Sequence, residues 1–401
     1  MKLNVEQMAN IESEILKQVR AHPGISRISV ARKLQIAPST AGNYTGRLIT
    51  EGFLMESKKE ECETGRPPTA LRLNPDGGQF IGVDFEARNM MAMAVDFSDR
   101  PLKHAHKNIQ KSDSVSEIIE KIEQAIIEVL PDDQGSLLAI GVGVPGLVNP
   151  AKGIAISYKY IDCWQNVQLA APLAKRFGVP VYLDNNARSM TLAEQWFGQG
   201  RGLKDWLCIG IRSGLGVGIV VGGQLQHGAN HRAGEIGRWL CPGSARTAAR
   251  FFTNSGSPMA ANLELQEVAS VRAILAALER MRQAKGKSLL SAQSEPLIFT
   301  DVLRAARQQD RLTVQIIEIA AEMLGWAVGE LTLALNPSHV ILAGQLTLLG
   351  EIMLHPLRRR AEEILQASGA EVPVIINSTM GEYSGALGAA ALAVDRWKPV
   401  R

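Results

Sequence analysis

The sequence predicts an α/β protein that carries a small helical head of the winged helix-turn-helix type. Three observations lead there. Apolar residues recur at helical spacing from about Asn10 to Glu56. Residues 57–78 are rich in Lys, Glu, Pro and Gly and read as a wing or linker. From Phe80 onward, short β-branched strands alternate with long amphipathic helices.

Composition agrees. The chain has 401 residues, 46% of them apolar and 21% charged, with a mean hydropathy near zero. A disordered chain, a coiled-coil rod and a multi-pass membrane protein are excluded. No apolar run approaches the length expected of a membrane span. Four cysteines (Cys62, Cys163, Cys208, Cys241) are scattered without a CxxC pair, which suits neither a disulfide framework nor a zinc site. The expected address is the reducing cytoplasm, with no membrane partner, no metal and no cofactor.

The head comes first. Ile11, Ile15, Leu16 and Val19 share one helical face, and His22-Pro23-Gly24 ends that helix. Ser26 is placed to cap a short second helix bearing Ile28, Val30, Ala31 and Leu34. Pro38-Ser39-Thr40 opens a third, with Pro in the first turn and hydroxyls supplying capping oxygens. Leu48 and Ile49 face inward and Gly52 ends the helix. Phe53-Leu54-Met55 and Ala70-Leu71-Arg72-Leu73 pair as two wing strands.

Such a head places its third helix in a DNA major groove. Ser39, Thr40, Asn43, Tyr44 and Arg47 would face base edges, and Arg27, Arg32 and Lys33 would reach phosphates. The same helices also suit a small protein-interaction domain. Charge favours DNA: residues 1–75 hold eleven Lys/Arg against eight Asp/Glu, so the chain's whole excess of +3 lies there. Within Thr64-Gly65-Arg66-Pro67-Pro68, the unit Gly65-Arg66-Pro67 either lies extended in a narrow A·T-rich minor groove or acts as a rigid linker. The expected partner is a double-stranded, A·T-rich, pseudo-palindromic operator. A two-fold site of that kind asks for a homodimer or homotetramer.

In the body, Phe80–Phe85 reads as a buried strand ending at Asp84-Phe85, and Met91–Asp96 as its hairpin partner. Leu138 to Gly146 is a strand running into a Gly/Pro turn, and Val179 to Ala187 is a strand entering a helix. Leu207–Ile211, Gly214–Gly218 and Ile219–Leu225 form a glycine-rich hairpin, where bare backbone can approach a phosphate or sugar. Phe299 to Ala334 reads as a helical pair, whose apolar face serves the core or a subunit interface.

At these residues the chain resembles the ROK family of bacterial sugar kinases and sugar-responsive repressors. Gly141-Val142-Gly143-Val144-Pro145-Gly146-Leu147-Val148-Asn149 is similar to its GxPGxV turn, and Trp164 to Leu169 to its WxNxxL element. His227-Gly228-Ala229-Asn230 with Ala233-Gly234-Glu235-Ile236-Gly237 resembles its HGxxGxAGEIGH signature. Asn336-Pro337 with Val340 to Gly344 resembles its late strand. The resemblance implies a two-lobed actin-like, sugar-kinase-like (ribonuclease H-like) body with a sugar site. It implies a head over 1–75, a small lobe over 76–190 and a large lobe over 191–401.

Departures from the family pattern carry the functional reading. The family's kinases take the substrate proton on the Asp of an Asn-Asp-Ala run, and here the run is Asn185-Asn186-Ala187. An amide cannot do that work. Their phosphate loop, Asp-x-Gly-Gly-Thr, is replaced by Asp84-Phe85-Glu86-Ala87-Arg88, whose bulk is expected where a phosphate would approach. Their zinc His is replaced by Arg238, and lone Cys241 stands where they have three cysteines. By resemblance, a sugar or sugar derivative would meet Asn185, Asn186, Glu235, Arg238 and Gln266. Arg238 either pairs with Glu235, stands as a surface charge, or recognises a phosphate or carboxylate on the ligand. The resemblance thus implies a regulator of carbohydrate genes, a repressor, with no catalytic residues. An active ATP-dependent sugar kinase bearing a DNA-binding appendage is the alternative, and a scaffold without ligand sensing is a third.

Overall fold

The computed structural model describes residues 5–57, 70–86, 88–133, 136–242, 251–253, 263–285, 288–290 and 296–399. The chain forms two compact units, Met1–Ser189 with Gly385–Arg401, and Met190–Ser384.

The first unit begins with α1 (Val5–Ala21), β1 (Ile25–Ser26), α2 (Arg27–Leu34), α3 (Pro38–Thr50), β2 (Leu54–Ser57) and β3 (Ala70–Leu73). The strands pair antiparallel in the order β1-β3-β2. The short third strand β1 was not legible in the sequence. Ile15, Val30, Leu48 and Leu71 are fully buried between helices and sheet. Ser26 caps α2, its hydroxyl accepting from the Ser29 amide at 3.2 Å. The expectation for α3 needs correction. Pro38 does stand in its first turn, but no side-chain hydrogen bond caps it, and Ser39 is exposed. The Gly65-Arg66-Pro67 unit lies outside the described residues.

The head packs on the small lobe, which follows as β4 (Gln79–Phe85), β5 (Asn89–Asp96), β6 (Pro101–Asn108), α4 (Val115–Val129), β7 (Leu137–Val144), β8 (Leu147–Asn149), β9 (Ile154–Ser157), β10 (Gln165–Gln168), α5 (Ala170–Phe177), β11 (Val181–Asn185) and the first turn of α6 (Asn186–Phe197), the rest of which, from Met190, belongs to the second unit. The main sheet has the order β11-β7-β4-β5-β6, antiparallel through β4, β5 and β6 and parallel through β4, β7 and β11. Strand β6 escaped the sequence reading because its exposed residues outnumber its buried ones. A capping box of Ser114 and Glu117 starts α4. Its Ile118, Ile122 and Ile126 bury one apolar stripe against the sheet.

The second unit repeats this plan. It contains β12 (Trp206–Ile211), β13 (Leu215–Val221), β14 (Gln224–Leu225), α7 (Val271–Lys285), α8 (Phe299–Arg307), α9 (Arg311–Leu335), β15 (His339–Ala343), α10 (Glu351–Ala367) and β16 (Val374–Asn377). The sheet order β14-β13-β12-β15-β16 matches the first sheet strand for strand: three antiparallel, then two added in parallel. Helix α9 corrects the reading that no segment suits a bilayer. It is 25 residues long and apolar enough to cross one, and 61% of its most apolar window is buried inside the protein. It is the central helix of a core containing Ile316, Ala320, Leu324 and Val328.

The C-terminal helix α11 (Ser384–Arg396) corrects the assignment of 191–401 to a single lobe, since Gly385–Arg401 joins the first unit. The reason is steric. A Cβ at Gly82 would overlap the Ala386 carbonyl, and one at Gly141 the Ala389 carbonyl. Backbone meets backbone there, which only glycine permits. Beyond α11, Trp397 completes an aromatic cluster with Phe53 of the head and Phe80 and Phe97 of the lobe, at centroid distances of 5.2, 5.8 and 5.7 Å. Arg20 of α1 donates to the Asp99 carboxylate at 2.8 Å and to the Phe97 carbonyl at 3.1 Å. Lys17 pairs with Asp395 at 3.2 Å, and Lys398 donates to Asn10 at 2.6 Å.

Candidate functional site

The first candidate surface is α3. Burial along it alternates with helical period: Ala41, Tyr44, Thr45 and Leu48 face inward, while Ser39, Asn43 and Thr50 are exposed and Thr40 half-exposed. Ser39, Thr40 and Asn43 therefore lie where a base-reading face needs them. Tyr44 does not. It is 8% exposed and packed into the head, a correction forced by its large ring, which is cheaper buried than solvated.

Arg47 is also redirected. Its guanidinium pairs with Glu12 of α1, whose side chain is completely buried, and lies 4.9 Å from the Tyr44 ring centroid. A buried carboxylate needs a countercharge, and Arg47 provides it. Arg27 is half-exposed and bonded to Glu56 at 2.7 Å. Arg32 and Lys33, in the last turn of α2, are exposed.

The second candidate region is the junction of β11 and α6. Asn185, an expected ligand contact, makes two bonds to the scaffold. The Nδ2 donates to the Gly146 carbonyl at 2.8 Å, and the Oδ1 accepts from the Ala187 amide at 2.9 Å. These two bonds hold the Pro145-Gly146 turn and start α6. Asn186 opens α6 half-buried, with no carboxylate at that position.

Asp184 is nearly fully buried, its Oδ1 accepting from Arg188 Nε at 2.6 Å and from the Asn185 amide at 2.7 Å. Arg188 is itself 2% exposed. The sequence reading missed it. Its signal was an Arg four residues after an Asp, on the inward side of a helix opening.

Asp84 is buried too. Its carboxylate lies against Gly143 and the first turn of α11 at Gly385. A helix N-terminus stabilises an anion through its unpaired amides and dipole. Phe85, expected to crowd a phosphate, instead turns to the opposite face of β4 and packs edge-on against Trp164 at 5.4 Å. Strand alternation sends Asp84 and Phe85 to opposite sides.

The third region lies in the second unit. Glu235 precedes a 3₁₀ turn at Ile236–Arg238, and Gln266 sits in another at Leu265–Glu267. The structure brings them together: a Cβ on Gly237 would stand 3.3 Å from Gln266 Cβ. Glu235 and Arg238 approach to 3.7 Å, with Arg238 59% exposed, so the ion-pair alternative holds in this structure. Gln266 Nε2 donates to Glu264 at 2.5 Å.

The described ends of the stretch from Trp239 to Leu265 are joined by backbone contacts. Leu240 bridges Glu264, the Cys241 amide donates to the Leu263 carbonyl at 2.8 Å, and the Leu265 amide to the Trp239 carbonyl at 2.7 Å. Burial, with Glu267 nearby, raises the Cys241 thiol to about 11. Among the described residues no group of three or more His, Cys, Asp or Glu could hold a metal ion.

Comparison with known proteins adds the relatives. The ROK family profile matches residues 80–396. A putative xylose repressor of Caldicellulosiruptor sp. (strain Rt8B.4) is 28% identical over 350 residues, covering 86% of this chain and 85% of that one. A glucokinase of Thermotoga maritima is also 28% identical, over 321 residues, covering 79% of this chain and 98% of its own. Among solved structures, a ROK family transcriptional regulator described as a homologue of Escherichia coli MLC superposes with a TM-score of 0.75 at 23% identity, covering 96% of this chain and 95% of that one.

Proposed function

Since this chain belongs to the ROK family, we propose that it is a sugar-responsive transcriptional repressor whose body no longer performs phosphoryl transfer. One observation carries the reading. The head is a winged helix whose α3 presents Ser39, Thr40 and Asn43 outward, while its apolar residues and Arg47 are spent on folding. A polar, exposed helix face of this kind reads base edges, and Arg32 and Lys33 add phosphate contacts. Gly65-Arg66-Pro67 extends the reading into the minor groove of an A·T-rich, pseudo-palindromic operator. Binding as a homodimer or homotetramer matches that symmetry.

The loss of catalysis rests on chemistry. Asn186 has no basic oxygen for the hydroxyl proton. Asp184, the neighbouring carboxylate, is neutralised by the buried guanidinium of Arg188. The effector is a sugar or sugar derivative held chiefly through Glu235, which accepts from hydroxyls. Gln266 and the exposed Arg238 complete the pocket in the second unit. An effector with different affinities for two states of the body shifts the operator affinity.

Band shifts on upstream DNA, with and without candidate sugars, test this. Specific binding that a sugar releases is expected. Glu235→Ala should keep DNA binding and lose the sugar response, and Arg66→Ala should weaken an A·T-rich operator by about 1–3 kcal/mol. Absence of specific binding to any upstream or genomic fragment would refute the proposal.

A further inference from the structure

The open face of β5 and β6 gathers four soft donors. In the antiparallel register Met91 lies opposite His106, and Met93 opposite His104. Directly opposed residues project to the same side of a sheet, with Cβ atoms about 4.5–5.5 Å apart. Successive like-facing residues on one strand are about 7 Å apart. Two thioethers and two imidazoles therefore form a rectangle on one face.

The alternate residues confirm the facing. Met90 and Ala92 belong to the core beneath α4, and Ala105 lies in the same cluster. Lys103 donates to the Leu130 carbonyl at 3.2 Å, just past the end of α4, and Lys107 pairs with Glu128 of α4. Met91, Met93, His104 and His106 occupy the other side.

That other side is built unevenly. Helix α11 covers its centre, above Gly82 and Gly141. Gly82 is the cross-strand neighbour of Met93, and Asp84 that of Met91. Burial falls off toward the sheet edge accordingly: Met93 is buried, Met91 half-buried, and His104 and His106 exposed. The quartet is thus sheltered at Met93, on the α11 side, and exposed at the two histidines.

We propose that Met91, Met93, His104 and His106 form a binding site for a monovalent copper ion. Thioether sulfur is a soft donor that selects Cu(I), and imidazole supports copper without excluding it from soft sites. Hard cations that require carboxylate or carbonyl oxygen find none in the quartet. Both side-chain types are long enough to converge on one ion from the spacings above. None of the four residues belongs to α3 or to the turns that carry Glu235 and Gln266.

The test uses the full-length protein under anaerobic, reducing conditions, titrated with Cu(I) against a chromophoric Cu(I) chelator. One ion per chain is expected. The double variants His104→Asn/His106→Asn and Met91→Leu/Met93→Leu should each weaken it at least tenfold, with unchanged circular dichroism and melting. The His variant alters only exposed side chains and the Met variant preserves volume, so both should fold. Unchanged affinity in either double variant would overturn the site, and would assign any bound copper to a cysteine or to imidazole alone. Zn(II) binding as tight as Cu(I) would also overturn it, because thioethers give zinc no advantage.

Discussion

Truncating Trp397 should detach the head from the lobe that carries it. The ring is 6% exposed and meets Phe53, Phe80 and Phe97 at interplanar angles of 67°, 78° and 84°. A buried tryptophan removes about 200 Å² from water, which at about 25 cal/mol per Å² corresponds to about 5 kcal/mol. That figure is an upper bound, because the unfolded chain already shields part of the surface. Truncation of an aromatic ring in a core typically costs about 3–5 kcal/mol, and Trp397→Ala is expected in that range. Trp397→Phe keeps an edge-on ring and should cost about 1–2 kcal/mol. Urea unfolding followed by circular dichroism resolves the effect if each unit unfolds in its own transition. Only the transition of the first unit should move, and operator binding should fall with the folded fraction of the head. A shift below about 1 kcal/mol, or equal shifts in both transitions, would refute the anchoring role derived from these contacts.

Other outcomes follow from the residues described above. Arg47→Ala should destabilise the head by about 3–5 kcal/mol, because it strands the buried Glu12 carboxylate, whereas Asn43→Ala should leave its melting unchanged and cost about 1–3 kcal/mol of operator affinity. Gly141→Ala should destabilise the first unit by at least about 1–3 kcal/mol in denaturant melts, since its methyl overlaps the Ala389 carbonyl. Asn186→Asp should yield no ATP turnover in a coupled assay across a hexose panel, because restoring one carboxylate leaves Asp84-Phe85-Glu86-Ala87-Arg88 in place of the phosphate loop. Asp310, the N-cap of α9, is pushed upward by burial, but bonds from the Leu289 and Thr313 amides and from the Thr313 and Ser288 hydroxyls outweigh this and lower its pKa. A lowered folded pKa adds stability above the unfolded value near about 4 and loses it as pH falls through the folded value, so the melting advantage of wild type over Asp310→Asn should shrink on acidification.

Periodicity, turn residues and glycine motifs were enough to locate the head, its wing strands, most body strands and the paired helices of the second unit. Each of these rests on short-range physics: apolar spacing, capping, and the conformational freedom of glycine. The candidate site divided differently. That Ser39 and Asn43 face outward follows from helical period alone. That Tyr44 turns inward, and that Arg47 is consumed by Glu12, depends on which neighbour stands 35 residues away in sequence.

By itself the sequence determined the α/β architecture of the body, the helical character of the head, and the presence of Asn186 and Arg238 where the family pattern has Asp and His, because those are statements about residue identity and local pattern. Only the tertiary structure decided the rest. It returned α11 to the first unit, where Gly82 and Gly141 leave room for its backbone. It committed Asn185 to the turn at Gly146 and buried Arg188 against Asp184. It also set Met91 and Met93 across from His106 and His104. Contacts between residues far apart in the chain depend on the register and packing of whole elements, and neither is written in any one stretch of sequence.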